Sequence, residues 1–193
     1  MTTTLSPASR TYEGAELPLP GTYDIDVSHT SVGFVARHLM VSKTRGQFPV
    51  VSGSITIGEN PADSTVEVSI DASGVETGDE RRDEHLRSAD FFDVEQYPTI
   101  SFRSTRVTPA AAGHFDVDGD LTVRGVTRPV RLQVTFEGAV TDPWGNIRGG
   151  FAASTEIDRE DFGLTWNQVL EGGGVIVGKK INIEIEAEAV LQA

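Results

Sequence analysis

INIEIEAEA, residues 181–189, decides the fold class. Ile181, Ile183, Ile185, Ala187 and Ala189 alternate with Asn182, Glu184, Glu186 and Glu188. A period of two puts apolar side chains on one face and charged ones on the other, the pattern of a half-buried β-strand. The same pattern recurs outward from this stretch. Val66, Val68, Ile70 and Ala72 share one parity, as do Phe115, Val117, Gly119, Leu121 and Val123. Val130, Leu132, Val134 and Phe136 repeat it, and so do Val32, Phe34, Ala36 and His38. Shorter runs are Tyr23 with Ile25, Ile100 with Phe102, and Phe151 with Ala153 and Ile157. Turn signals separate them: Glu59-Asn60-Pro61, Gly125, and Asp142-Pro143-Trp144-Gly145-Asn146. Phe48, Val50, Ile55 and Ile57 do not keep one parity, so a bulge is expected at Gly53. Gly172-Gly173-Gly174 reads as a flexible link. Strands with one apolar face form either one sheet rolled on itself or two stacked sheets. Periodicity allows both; a barrel has the advantage of leaving no open edge.

One stretch interrupts the strands: DERRDEHLRSADFFDVEQYPTISF, residues 79–102. Thr77 with Glu80 three residues on reads as a capping box that starts a short helix. Leu86, Ala89 and Phe92 are its few apolar side chains, so the helix covers a surface and builds no core of its own. Pro98 favours extended backbone before it and ends the interruption. Residues 159–162 read as one further helical turn. Each interruption carries an Asp-Phe pair, Asp90-Phe91 and Asp161-Phe162. Interruptions fall at barrel rims, so Phe91, Phe92, Leu164 and Trp166 are expected to close its ends.

The chain has 193 residues, which suits one domain. Residues 1–20 read as a polar, flexible N-terminal arm, and 21–193 as the folded domain. The net charge of −13 argues against a nucleic-acid face and against attraction to an anionic membrane. There is no cysteine, so disulfides and thiolate metal sites are excluded. The opening MTTTLSPASRTYEGAELPLPG has no apolar run, and no stretch approaches ~20 apolar residues. We therefore expect a cytoplasmic protein with no membrane insertion.

Candidate chemistry is sparse. His29, His38, His85 and His114 match no zinc spacing, so no metal or cofactor is expected. Asp26 and His29 would suit two members of a nucleophilic triad, but no serine sits in a G-x-S-x-G elbow. Glu156, Asp158, Glu160 and Asp161 read as a solvated charge cluster. Arg82 is expected to anchor the helix and reach Asp90 or Asp93. His38 is the best candidate for a titratable group inside a barrel. Small inward residues (Ala36, Gly119, Ala153 and Ala187) leave room for a tunnel among the aromatics.

The ordered motifs resemble the YceI-like family of bacterial polyisoprenoid-binding, lipocalin-like proteins. They run Tyr23-x-Ile25-Asp26-x-x-His29, Phe34 with His38, Arg45-Gly46-Gln47-Phe48, and Arg82-Asp83-x-His85-Leu86. They continue with Ser88-x-Asp90-Phe91-Phe92-Asp93-Val94 and Tyr97-Pro98-x-Ile100-x-Phe102. Gly119-x-Leu121-Thr122-x-x-Gly125-Val126-Thr127 and Asp161-Phe162-Gly163-Leu164-x-Trp166-Asn167 complete the set. The resemblance implies an all-β fold: an antiparallel lipocalin-like β-barrel of about eight strands, with one short helix and a further helical turn at the barrel ends. Its apolar tunnel would hold a long-chain polyisoprenoid or similar fatty amphiphile, for transport, storage or stress-related sequestration, without catalysis. A homodimer is compatible with this reading. The alternative is an enzyme acting on an isoprenoid or quinone-like lipid. Combined with strand parity, the expected ligand-binding residues are Val32, Phe34, Ala36, His38, Val68, Ile70, Phe91, Phe92, Phe102, Phe115, Val117, Leu132, Val134, Phe151, Phe162, Leu164, Trp166, Ile183 and Ile185.

Overall fold

Eight antiparallel strand positions close on themselves. The computed structural model describes residues 7–171 and 173–193. Around the barrel run β3 (Gly21–Ile25), β6 (Val50–Ile57), β7 (Thr65–Asp71), β8 (Thr99–Pro109), β9 (His114–Val123), β10 (Val126–Thr141), β11 (Ile147–Asp158) and β12 (Val177–Leu191). Pairing of β11 with β12, from Arg148↔Val190 to Asp158↔Lys180, completes the ring and settles barrel over sandwich. Two positions are doubled along their length. β12 bonds β3 near its C-terminal end and β4 (Ser31–His38) near its N-terminal end. β4 in turn pairs β5 (Ser42–Phe48), which runs into β6 through Pro49.

From Ile181 to Ala189 the odd residues of β12 point inward and the even ones outward; an irregularity between Val177 and Ile181 leaves Lys179 outside. Glu184 and Glu186 are exposed, whereas Ile181, Ile183 and Ile185 are half-buried. Inward isoleucines that keep accessible area face empty space, since a filled core would bury them fully. At one end the barrel is packed solid: Tyr23 and Ala189 are fully buried beside Ile55, Phe136 and Phe151. Burial raises the Tyr23 pKa, and its hydroxyl donates to the Leu19 carbonyl at 3.0 Å.

Register shifts flip the inward parity at three places: Val50/Ser52 in β6, Ser104/Arg106 in β8 and Phe136/Gly138 in β10. The bulge expected at Gly53 therefore falls two residues earlier. Val51 is the extra residue, 59% exposed, so Val50 and Ile55 both turn inward. Gly53 has another role: a Cβ there would lie 2.5 Å from Ile25 Cδ1.

The expected flexible arm is folded where it is described. β1 (Ser9–Tyr12) and β2 (Ala15–Pro18) form a hairpin that buries Leu17 and lies against β10. Residues 1–6 lie outside the described residues, as does Gly172 of the expected glycine link. Beyond it, Gly173 and Gly174 take positive φ, and Val169 bridges to Val175.

The helix α1 spans Glu80–Arg87. Its N-cap is Asp79, whose side chain accepts from Arg82 N–H, and not Thr77 as the capping-box spacing suggests. Thr77 is held instead by buried Asp83, which accepts from both its N–H and its hydroxyl. Arg82 also donates to Thr77, through Nε to the hydroxyl at 2.7 Å and through Nη2 to the carbonyl at 2.9 Å. The expected Arg82 contact with Asp90 belongs to His85, at 2.8 Å. Among the described residues no helix is long and apolar enough to cross a membrane.

Candidate ligand-binding cavity

The barrel encloses a cavity of about 280 Å³ whose wall is almost wholly apolar. Strand parity places Val32, Phe34 and Ala36 on it from β4, Val68 and Ile70 from β7, and Phe102 from β8. Phe115 and Val117 reach it from β9, Leu132 and Val134 from β10, Phe151 from β11, and Ile183 and Ile185 from β12. Ile181 to Ala187 alone covers about 20 Å of strand, which is about 15 Å along the axis at the usual tilt. Aromatic rings form part of the wall: Phe34, Phe48 and Phe92 follow one another at centroid distances of 5.4 and 5.2 Å.

The two Asp-Phe segments meet at the same end, not at opposite ends. Phe91, Phe92, Phe162 and Leu164 all line the cavity there. Trp166 does not line it; its ring packs behind Phe91 at 5.4 Å and against His85 at 4.6 Å. The opposite end is bounded by Leu17 and Pro18 of the hairpin and by Pro61 of a 3-10 turn, Pro61–Asp63. Ala36, Ala153 and Ala187 leave room as expected, but Gly119 does not. The Phe102 ring fills that space, with Cζ 2.4 Å from where a Cβ would stand.

His38 shares the inward parity of β4 but sits at the last residue of the strand, half-buried and off the cavity wall. The histidine expected as a titratable group inside the barrel thus stands off its wall. We expect His38→Ala to stay within ~0.5 kcal/mol of the wild type by urea denaturation and to retain the same lipid per mole.

Among the described residues two charged side chains reach the cavity, and neither was expected. Arg159, 4% exposed, opens a 3-10 turn (Arg159–Phe162). It donates to the carbonyls of Gly178 at 3.0 Å, Leu164, and Val177 at 3.4 Å. Burial pulls its pKa down, partly offset by Glu160 and Asp158. Arg10 lies at the hairpin end, donating to Glu59 and to the Gly58 carbonyl, while its buried Nε has no partner. Both read as surface charges in the sequence, and nothing local marks them otherwise. Asn167 adds to the Arg159 corner by bonding Val177 through both its amide nitrogen and its oxygen, as a strand neighbour would.

Asp26 and His29 do come together, outside the barrel. Ser28 Oγ donates to Asp26 Oδ1 at 2.6 Å, and His29 Nδ1 faces both Asp26 Oδ2 at 3.0 Å and Ser28 Oγ at 3.1 Å. A triad needs the two ring nitrogens on different partners and the hydroxyl proton aimed at the imidazole; here neither holds. Ligand atoms of Asp26, His29 and Glu188 lie within 4.8 Å of one another, but Arg148 supplies the positive charge. It donates to Asp26 at 2.8 Å, to Asp142 at 2.9 Å and to Glu188 at 2.5 Å. Bonds from Ser28, Arg148 and His29 hold the Asp26 carboxyl well below the usual range. Burial would raise Asp142, but donors on Arg148, Asn146 and Trp144 outweigh it and lower its pKa.

Both carboxylates are depressed, so their stabilisation is complete above the unfolded value of ~3.9 and is lost as pH falls through the folded values. Arg148→Met should leave three crowded carboxylates. Its melting temperature should lie below the wild type at pH 7, and the gap should narrow towards pH 4, where the wild type begins to lose the contribution of these carboxylates. Glu156 and Glu160 of the acidic cluster pair with Lys180 and Lys179, and Asp158 caps the 3-10 turn.

A closed antiparallel barrel around an apolar cavity, with a helix-bearing segment across one end, defines the chain as a lipocalin-like barrel. The YceI-like domain model matches residues 23–189. A UPF0312 protein of Vibrio parahaemolyticus is 38% identical over 165 residues, covering 84% of this chain and 85% of that protein. One of Photorhabdus laumondii is 42% identical over 151 residues, covering 77% and 78%. The chain belongs to the YceI-like family. Among solved structures, the YCEI protein of Campylobacter jejuni superposes with a TM-score of 0.67 at 27% identity, covering 81% of this chain and 90% of that one. BcnA of Burkholderia cenocepacia shares the fold, with a TM-score of 0.75 at 22% identity over 85% and 98% of the two chains. A polyisoprenoid binding domain from Saccharophagus degradans also shares it, at 0.65 and 16%, over 88% and 98%.

Proposed function

We propose that this protein binds one long-chain polyisoprenoid or similar amphiphilic lipid inside the barrel and acts as a carrier or store. The observation that carries the reading is the continuous apolar wall whose inward isoleucines remain accessible. Each CH₂ moved from water to such a wall contributes about 0.8 kcal/mol, so an acyl or isoprenyl chain needs no specific polar contact. The name of the Saccharophagus degradans domain is in keeping with this reading. Arg159 extends it: of its five N–H groups three meet carbonyls, leaving donors for an anionic or carbonyl head group. Binding without catalysis is favoured because the ionisable side chains on the wall, among the described residues, are Arg10 and Arg159. Arginine stays protonated and makes a poor general base.

Delipidated protein titrated with a polyprenol series tests this. One molecule should bind per barrel, and affinity should rise ~4-fold for each additional buried CH₂ until the chain outgrows the cavity. Affinity independent of chain length would reject the reading.

A further inference from the structure

We propose that the β4–β5 hairpin docks one end of the barrel onto an anionic phospholipid surface. The turn is unusual in its residues. Val41 N–H donates to the His38 carbonyl at 3.1 Å, and the two residues between, Leu39 and Met40, have φ of 51° and 60°. Tight hairpins favour this backbone twist but normally fill it with Asn or Gly. Apolar L-residues there are strained, and both remain exposed, Leu39 at 37%. Met40 is 57% exposed and Val41 83%. The Leu39 N–H ties the turn to Ile176 of the next loop, which carries Val169, itself 82% exposed.

The stem carries the second observation. Arg37 and Lys43 stand directly opposite each other in the β4–β5 register. Both are exposed, and among the described residues neither has a carboxylate partner. Like charges directly opposite destabilise a strand pair, and they occur here in a chain of net charge −13. An apolar tip above a cationic stem fits a bilayer, with side chains in the acyl boundary and cations at the phosphates. The overall negative charge does not forbid this: at 0.15 M salt the screening length is about 8 Å, so distant carboxylates count for little at contact. Another strongly exposed apolar side chain, Trp144, lies at the opposite end, where its backbone N–H bonds Asp142. There Asp26, Asp142 and Glu188 share Arg148, whereas beside the hairpin Glu156 and Glu160 each pair a lysine of their own. Ala36 and Val177 of the cavity wall lie close to the turn, so docking would bring the cavity's end to the lipid. The proposal does not depend on what the barrel carries.

The test is flotation of the purified chain with phosphatidylcholine vesicles, with and without one-third phosphatidylglycerol. Binding is expected to the anionic vesicles. Arg37→Gln with Lys43→Gln should lower the partition coefficient about 25-fold, ~5-fold per charge. Met40→Asp with Val41→Asp should abolish binding, while Trp144→Ser should not change it. V41W in a W144F background should be quenched by brominated lipid. Circular dichroism controls for folding in each. No binding to either vesicle, unchanged binding in both hairpin double variants, or equal loss in Trp144→Ser would overturn the proposal. So would a concentration-dependent dimer that the hairpin variants dissociate, since the patch would then serve a second copy of the chain.

Discussion

Phe102→Asp should leave the barrel without lipid and cost about 4 kcal/mol or more of stability. Phe102 is 7% exposed, pairs with Val68 and Leu121 across β8's neighbours, and fills the space over Gly119. Truncating a buried phenylalanine typically costs 3–5 kcal/mol. The new carboxylate would face an apolar wall with no donor, so it must either draw water in or unfold the barrel. Both outcomes expel an apolar chain. Phe102→Leu separates charge from volume and should keep most of the lipid. The measurement is extracted lipid per mole of protein, with circular dichroism as the folding control. A folded Phe102→Asp protein with wild-type lipid content would show that the ligand does not pass this residue.

Arg159→Met should cost about 2 kcal/mol or more, because the Gly178 and Leu164 carbonyls lose the Arg159 donor and an orphaned buried acceptor costs roughly 1–3 kcal/mol, while the Val177 carbonyl keeps Asn167 Nδ2. Arg159 joins the start of β12 to the segment that presents Phe162 and Leu164 to the cavity. Loosening it should speed lipid loss as well as lower stability. Urea denaturation reads the first effect and an off-rate into acceptor vesicles reads the second. Hydrogen exchange should accelerate locally at Leu164, whose N–H bonds the Arg159 carbonyl. Arg159→Lys should fall between the two, since one ammonium cannot span three carbonyls held in that fan. An Arg159→Met protein with wild-type stability would mean that water replaces the guanidinium without cost.

Much of this wall is legible in the sequence, for a physical reason. A barrel strand has one dry face and one wet face, so Ile183, Ile185, Val68, Ile70, Val117 and Leu132 announce their direction by parity. What parity misses is non-local. Closure depends on β11 meeting β12, and no periodicity within either strand encodes that pairing. Bulges at Val51, Thr105 and Glu137 reverse the inward face midway, which is why Val50 and Ile55 looked incompatible. Parity also says nothing of depth or reach. His38 has the right parity at the wrong end of its strand, and Gly119 has room that the Phe102 ring takes. Arg10 and Arg159 were hidden by their charge, because arginine in a turn is ordinarily solvated. Only the fold shows Arg159 facing three carbonyls.

Native mass spectrometry of the purified chain, before and after organic extraction, tests the central claim most directly. A species heavier than the polypeptide by one lipid mass is expected, lost on extraction and restored one-to-one when polyprenyl compounds are added back. A protein that carries no lipid on purification and takes up none from polyprenyl or fatty amphiphiles, while remaining folded, would contradict it.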